Sequence, residues 1–188
     1  MNRASDNNHK ARKKKLTRSD WGTPSKILDL TRKLGRIGLD PCWNKHCLTK
    51  PKHYFTKKDN GLAQTWHGYG LVYGNFPYER SGNARIYNWI EHALEQAKRF
   101  SKRDSLVMLL PVSTDTKWWK LLLDSGLKLS FCFIHGRLRY LKPLTSVEGR
   151  TASFPSVVVY IGSKHDMFRK TFAEIGWVIN REHVNALQ

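Results

Sequence analysis

The sequence predicts an α/β fold built on one mostly parallel sheet with helices on both faces. Short apolar segments without polar alternation recur along the chain, as expected of strands buried on both sides. Between them lie segments with apolar residues three and four positions apart, a spacing typical of amphipathic helices. The chain has 188 residues, 40% of them hydrophobic, which suffices for one packed domain. We place this single domain at 20–188 and a flexible basic arm at 1–19.

The first ordered element is predicted to be a helix directly after the arm. Thr23 is a suitable N-cap and Pro24 suits the first helical position. Apolar residues follow at helical spacing over 27–34, and Gly35 is expected to end the helix. A short buried strand is then expected over 37–41.

The rest of the chain continues to alternate between strands and helices. The stretch 42–58 is expected to be irregular, and a polar loop around 148–150 separates the last two strands. Trp118 and Trp119 are expected to be core residues rather than a base-stacking platform. The remaining elements are strands over 69–73, 106–111, 129–141 and 156–161, and helices over 86–99 and 117–124.

The charge balance indicates a polyanionic partner. Lysine and arginine number 33 against 15 acidic residues, a net charge of +18, which opposes compaction unless a polyanion is nearby. Nucleic acid is the polyanion that best fits, and charge alone does not separate DNA from RNA. The arm could equally be a solubilising tail, and the strand arginines could equally face solvent. The candidate phosphate-binding residues are Lys13, Lys14, Lys15, Arg85, Arg137 and Arg139.

Several classes of protein are excluded by the same sequence. Three cysteines, and no apolar segment after the basic start, support neither a disulfide scaffold nor a secretory signal, so we expect a reducing, cytoplasmic location. No apolar run approaches the length that spans a bilayer. His46, Cys47 and Cys42 lack a fourth ligand at suitable spacing, so we expect no metal. The oligomeric state is not indicated.

Four consecutive residues, Asn75-Phe76-Pro77-Tyr78, follow a buried strand at the edge where open α/β sheets bind ligands. The exocyclic amino nitrogen of a base is a poor nucleophile until acceptors hold its two hydrogens out of the ring plane. The Asn75 side-chain oxygen and the Pro77 carbonyl can supply those acceptors, in a turn stiffened by Pro77. Tyr78 offers a face for an extruded base, worth about 1–3 kcal/mol. The alternative is a strand-ending turn with a packed tyrosine.

The motif and its surroundings resemble the S-adenosylmethionine-dependent amino-methyltransferases with an Asx-Pro-Pro-aromatic motif. Among these, the chain is most similar to the small phage Dam-type DNA N-6-adenine methyltransferases, with landmarks in order from Trp21 to about Gly162. The resemblance implies a Rossmann-like methyltransferase sheet and S-adenosylmethionine as cofactor. It also implies methylation of an adenine flipped out of DNA. The implied location is the cytoplasm, the host's if the chain is phage-encoded.

The same resemblance implies a set of cofactor-binding residues. Thr23 and Pro24 would begin a helix beside the methionine carboxylate, a place suited to an anion. Asp40 and Pro41 would lie near the methionine amino group, and Asp59 would contact the cofactor adenine. Asp40 and Asp59 also have simpler explanations, as a strand-end residue and a turn residue.

Three departures from the family pattern keep other functions open. Phe76 stands where proline is commoner, no glycine-rich turn follows the first strand, and no acidic residue lies between Cys42 and Asp59 to bind the cofactor ribose. Asn44 is the substitute candidate for that ribose contact. The alternatives are an inactive nucleic-acid-binding protein on a methyltransferase scaffold, or a methyltransferase acting on RNA. A protein glutamine substrate is disfavoured by the charge.

Overall fold

The protein is described by a computed structural model, which covers residues 21–79, 82, 85–143, 145 and 147–181. These residues form a mixed α/β fold with a seven-stranded sheet, a two-stranded sheet and four α-helices. The arm, with Lys13, Lys14 and Lys15, lies outside them. The strands are β1 (Ile37–Asp40), β2 (His53–Tyr54), β3 (Leu71–Gly74), β4 (Ser105–Pro111), β5 (Leu129–Ile134), β6 (Arg139–Leu141), β7 (Glu148–Thr151), β8 (Ser156–Ile161) and β9 (Gly176–Arg181). The helices are α1 (Ser25–Leu34), α2 (Ile86–Ala97), α3 (Lys117–Leu123) and α4 (His165–Phe172), with a short 3-10 helix at Gly61–Ala63.

The large sheet has two halves of different strand direction. Its order is β2-β1-β3-β4-β8-β5-β9. The first four strands pair in parallel, and we call them the parallel half. The last three, β8-β5-β9, pair antiparallel with one another, and β8 also pairs antiparallel with β4; we call them the antiparallel half. Since β5 runs with β4, five of the seven strands share one direction.

Helices cover both faces of the sheet, as predicted. Side chains alternate between faces along a strand, so Val72 and Tyr73 of β3 belong to two different hydrophobic clusters. One cluster contains the buried faces of α2 and α3, including Trp89 and both Trp118 and Trp119, which are core residues as expected. The other contains those of α1 and α4.

A short hairpin, β6–β7, forms the second sheet and packs beside the carboxyl-end edge of the parallel half. Gly22 and Leu141 exchange two backbone hydrogen bonds, of 3.0 and 2.8 Å, which join the segment before α1 to β6. A Cβ atom on Gly149 would lie 2.2 Å from the Trp21 ring, so glycine is required for this close approach. The hairpin is therefore fixed against Trp21.

The predicted elements are found, with several differences. The first helix begins at Ser25 with Pro24 in the cap position, and the Thr23 hydroxyl accepts a hydrogen bond from Tyr73 instead of capping the helix. One continuous strand over 129–141 is wrong: the chain turns at Gly136, where φ is +71°, and its end forms β6 in the hairpin. The stretch predicted to be irregular contains β2, and the predicted polar loop contains β7. Finally, α4 and β9 were not predicted.

No helix in the described ranges is both long enough and apolar enough to cross a membrane.

Candidate active site

A cleft lies at the carboxyl ends of β1 and β3. Because these parallel strands are neighbours, the residues that end or follow them meet at one edge of the sheet. Thr23, Asp40, Asn75 and Pro77, four of the residues singled out in the sequence, line the cleft. Trp21, Cys42, Asn44, Cys47, Thr49 and Tyr73 are also among its lining residues.

The Asn75 side-chain amide is held at both ends. Its Nδ2 donates to the Trp21 carbonyl at 3.1 Å, and its Oδ1 accepts from the Tyr78 hydroxyl at 2.8 Å. The Trp21 contact decides the orientation, since an amide turned by 180° would set two oxygens against each other. An amide oxygen has two acceptor positions, so one bond leaves a second position. Asn75 is half-buried at the cleft.

Tyr78 lies beside Asn75 with its hydroxyl directed inward. The hydroxyl is 2.8 Å from the Leu109 carbonyl as well as 2.8 Å from Asn75 Oδ1. Burial raises the pKa of Tyr78 well above its ordinary value, so the hydroxyl keeps its proton and acts as a donor. The ring packs edge-on against Phe154, with centroids 5.8 Å apart.

Phe76 occupies the second motif position but does not line the cleft. Its side chain is 2% exposed and stacks on Trp89, with centroids 5.2 Å apart and an interplanar angle of 11°. A Cβ atom on Gly74 would lie 2.4 Å from the Phe76 ring, so the absent side chain makes the space for it. The aromatic ring thus anchors the loop from the core side.

Asp40 is the buried carboxyl group of the cleft. Its oxygens accept from the Cys42 backbone N–H at 3.1 Å and from the Thr49 hydroxyl at 2.8 Å. Burial raises the pKa of Asp40 to about 6, because these two neutral donors offset only part of the desolvation. A cationic group placed here would favour the ionised form, so the site suits an ammonium ion.

Cys42 connects the two strand ends. Its backbone donates to Asp40, and its thiol donates to the Asn75 carbonyl at 3.5 Å. Burial raises the pKa of Cys42 well above its ordinary value and raises the pKa of Cys47 to about 11. Both side chains therefore remain thiols. No group of three or more histidine, cysteine or acidic residues is arranged to hold a metal in the described part of the chain.

Three other predicted cofactor residues lie outside the cleft lining. Pro24 is buried, and its carbonyl accepts from Ile27 N–H at 3.2 Å in the first turn of α1. The Pro41 carbonyl lies so close to Gly61 that a Cβ atom there would be 2.0 Å away. Asp59 is exposed and accepts from the Thr56 N–H and hydroxyl, at 2.7 and 2.6 Å, bonds that lower its pKa.

Comparison with known protein families decides the assignment. A family model described as DNA N-6-adenine-methyltransferase (Dam) matches residues 10–185, nearly the whole chain. The chain belongs to the Dam family. The family predicted from the sequence is thereby confirmed, and its description indicates an enzyme that acts on DNA. No curated protein and no solved structure matches the chain significantly.

The candidate phosphate contacts of this Dam-family chain lie on exposed loops and on the hairpin. Arg137 and Arg139 are exposed, whereas Tyr140 is buried. Arg85 is exposed, donates to Asn88 Oδ1 at 2.9 Å and lies 5.3 Å from the Tyr87 ring centroid. Their contact with DNA stays a prediction.

Sequence reasoning did not single out several residues that complete the Dam-family cleft. Trp21 was noted only as the start of a motif, yet its carbonyl orients Asn75. Cys47 and Thr49 lie in a stretch without periodicity, and Thr49 reaches Asp40 by a loop contact nine residues away. Such backbone and loop contacts leave no signal in a single sequence.

Proposed function

We propose that this Dam-family chain transfers a methyl group from S-adenosylmethionine to the exocyclic nitrogen of an adenine flipped out of DNA. The observation that carries the proposal is the Asn75 amide. It is fixed in one orientation by Trp21 and opens onto the same cleft as a buried carboxyl group. The parallel pairing of β1 with β3 also supports the interpretation of the sheet as Rossmann-like.

The cleft residues fit the methionine end of S-adenosylmethionine. Asp40 would pair with its ammonium group, which would offset the burial of that carboxylate. Thr23, one residue before the Pro24 cap of α1, would lie at its carboxylate, where helix N–H groups favour an anion. Asn44 also lines the cleft and takes the proposed ribose contact. Asp59 and Pro41 keep their predicted roles as proposals.

The cofactor supplies an electrophilic methyl group, and the chain supplies positioning. Asn75 Oδ1 and the Pro77 carbonyl would accept the two amino hydrogens, which frees the nitrogen lone pair. The nitrogen would form the new N–C bond as the methyl C–S bond breaks. The bonding pair of that C–S bond would leave with the sulfur, and one amino proton would pass to water. Because both acceptors belong to one loop fixed by Phe76 and Trp21, little reorganisation is needed at reaction.

The DNA would be held by cations and by the motif tyrosine. An amino group stacked inside a duplex cannot reach the cleft, so the adenine must be extruded, and Tyr78 would stack on it. Arg137, Arg139 and Arg85 would contact phosphates, with Lys13, Lys14 and Lys15 of the arm. The cytoplasm, the host's if the chain is phage-encoded, stays the predicted location.

Mass spectrometry of nucleosides tests the proposal directly. The full chain is incubated with methyl-labelled S-adenosylmethionine and unmethylated DNA, and in parallel with RNA. We expect label in N6-methyladenine from DNA. Label only in RNA would select the RNA alternative. No label, together with no calorimetric binding of S-adenosylmethionine, would select the inactive nucleic-acid-binding protein.

A further inference from the structure

The Tyr78 hydroxyl has one proton and two carbonyl acceptors, and the Tyr140 side chain is a further hydrogen-bonding neighbour. Asn75 Oδ1 and the Leu109 carbonyl both lie 2.8 Å from the hydroxyl oxygen. One hydrogen can be donated to only one of these acceptors at a time. The structure therefore contains two alternative hydrogen bonds of equal length, which exchange when the hydroxyl hydrogen rotates about its C–O bond.

The two acceptors differ in what else they serve. Leu109 lies inside β4, in the middle of the sheet and fully buried, so its carbonyl stays in place whatever occupies the cleft. Asn75 Oδ1 belongs to the cleft, and in the proposed reaction it must accept a hydrogen from the adenine amine. The hydroxyl can therefore donate to the Leu109 carbonyl, which is always available, or to Asn75 Oδ1, which the adenine amine would also use.

We propose that the Tyr78 hydroxyl is a positioning group that holds Asn75 Oδ1 in place before adenine binds and turns to the Leu109 carbonyl when the adenine amine arrives. Asn75 Oδ1 has two acceptor positions, so the exchange is not needed to make room for the amine; it leaves the oxygen to accept from the amine alone, and it leaves no buried donor unpaired. This role rests on the proposed function. It is separate from stacking, which needs only the ring of Tyr78.

Removing the hydroxyl while keeping the ring tests this role. In Tyr78→Phe the Asn75 amide keeps only its Trp21 contact, so we expect the single-turnover methylation rate to fall about fivefold to tenfold. The KM for DNA should stay close to that of the unmodified chain, because the stacking face is retained. The Tm should fall by only a few degrees, about 2–4 °C for each kcal/mol lost with the hydrogen bond of the hydroxyl. Tyr78→Ala should lower the rate and also raise the KM for DNA. Tyr69→Phe, in a half-buried tyrosine of the same core cluster, is the matched control and should change neither quantity.

The outcomes separate this inference from the proposed function. If the unmodified chain methylates DNA and Tyr78→Phe retains its single-turnover rate, the positioning role is wrong while the proposed function stands. A rise in KM equal to the loss of rate, or a large fall in Tm, would show that the hydroxyl serves binding or folding instead. If the unmodified chain does not methylate DNA, both proposals fail together.

Discussion

In the parallel half, β1 and β3 end side by side, and the polar residues at their ends, Asp40 and Asn75, share one cleft. In the antiparallel half, strand ends alternate along each edge, and the polar residues pair with one another instead. Ser130 there is fully buried, 2.7 Å from His165 Nδ1 and 2.7 Å from Asn180 Oδ1. Among the described residues, the carboxyl ends of the parallel strands β1 and β3 bring polar groups to a cleft that a ligand can enter, whereas Ser130 of the antiparallel half is enclosed by its partners.

The comparison is tested most severely by one asparagine from each half. Asn75→Ala removes the oxygen that would accept the amino hydrogen, and we expect methylation to fall about 10²- to 10³-fold, as for loss of an oxyanion-hole donor. Asn180→Ala removes only one of the two partners of Ser130, so methylation should stay within about twofold while the free energy of unfolding falls by about 1 kcal/mol. Rates are measured per folded molecule, by mass spectrometry of nucleosides. Near-normal turnover in Asn75→Ala would remove the basis of the proposed function.

A second pair of variants compares how much one buried aromatic ring contributes to stability beside each half of the sheet. Phe76 stacks on Trp89 in the parallel half, and Phe168 stacks on Tyr160 and Phe172 in the antiparallel half, both within 2% exposure. Truncation of either to alanine should lower the free energy of unfolding by about 3–5 kcal/mol in chemical denaturation. A negligible loss for Phe76→Ala would show that the loop is not anchored by its ring.

The sequence predicted the parallel half better than the antiparallel half, for a physical reason. Strands β3 and β4 are short apolar runs that need no partner information to be seen, and the Asn75 motif follows one of them directly. By contrast, β9 exposes the apolar residues Trp177 and Ile179, so its sequence does not show the apolar pattern of a buried strand. Its only sheet partner in the described part of the chain is β5, which is distant in sequence. The turn at Gly136 divided an apparently continuous strand. In the cleft, Asp40 and Asn75 were predictable from the sequence, but the Trp21 carbonyl and the Thr49 hydroxyl were not.

A third prediction uses the pH dependence of the cleft. In the free chain the pKa of Asp40 is raised to about 6, and a bound ammonium group favours the ionised carboxylate. Below this pKa, binding must first remove a proton, so the affinity for S-adenosylhomocysteine should fall about tenfold between pH 7 and pH 5. The ligand's amino group stays protonated over this range. Calorimetry measures the change, and Asp40→Asn should bind more weakly at pH 7 and show a flat profile. A flat profile in the unmodified chain would place the ammonium elsewhere.

The stability of the unliganded chain should respond to pH with the opposite sign. Because burial raises the pKa of Asp40, the folded state favours the protonated carboxyl group. The protonated Asp40 carboxyl group makes its full contribution to the free energy of unfolding below about pH 4. This contribution, about 3 kcal/mol, is lost as the pH rises through about 6. Unfolding of the unmodified chain and of Asp40→Asn between pH 5 and pH 7.5 isolates this contribution. The difference in stability between the two should change with pH in this interval; a constant difference would contradict the raised pKa.

The smallest expected effect concerns the cations around the two halves. Arg137 and Arg139 follow the carboxyl end of β5, which lies at the same sheet edge as the ends of β3 and β4, whereas Arg169 and Lys170 lie on α4. Each pair replaced by alanine removes two positive charges from a chain of net charge +18, so the long-range attraction for DNA falls equally. If Arg137 and Arg139 contact phosphates, their double variant should lower the slope of log affinity against log salt by about 2, and the α4 double variant should leave it nearly unchanged. Fluorescence anisotropy with a DNA duplex at several salt concentrations measures both slopes. Equal slopes for the two variants would mean that the chain attracts DNA by net charge alone and that the cleft edge has no dedicated phosphate contacts in these arginines.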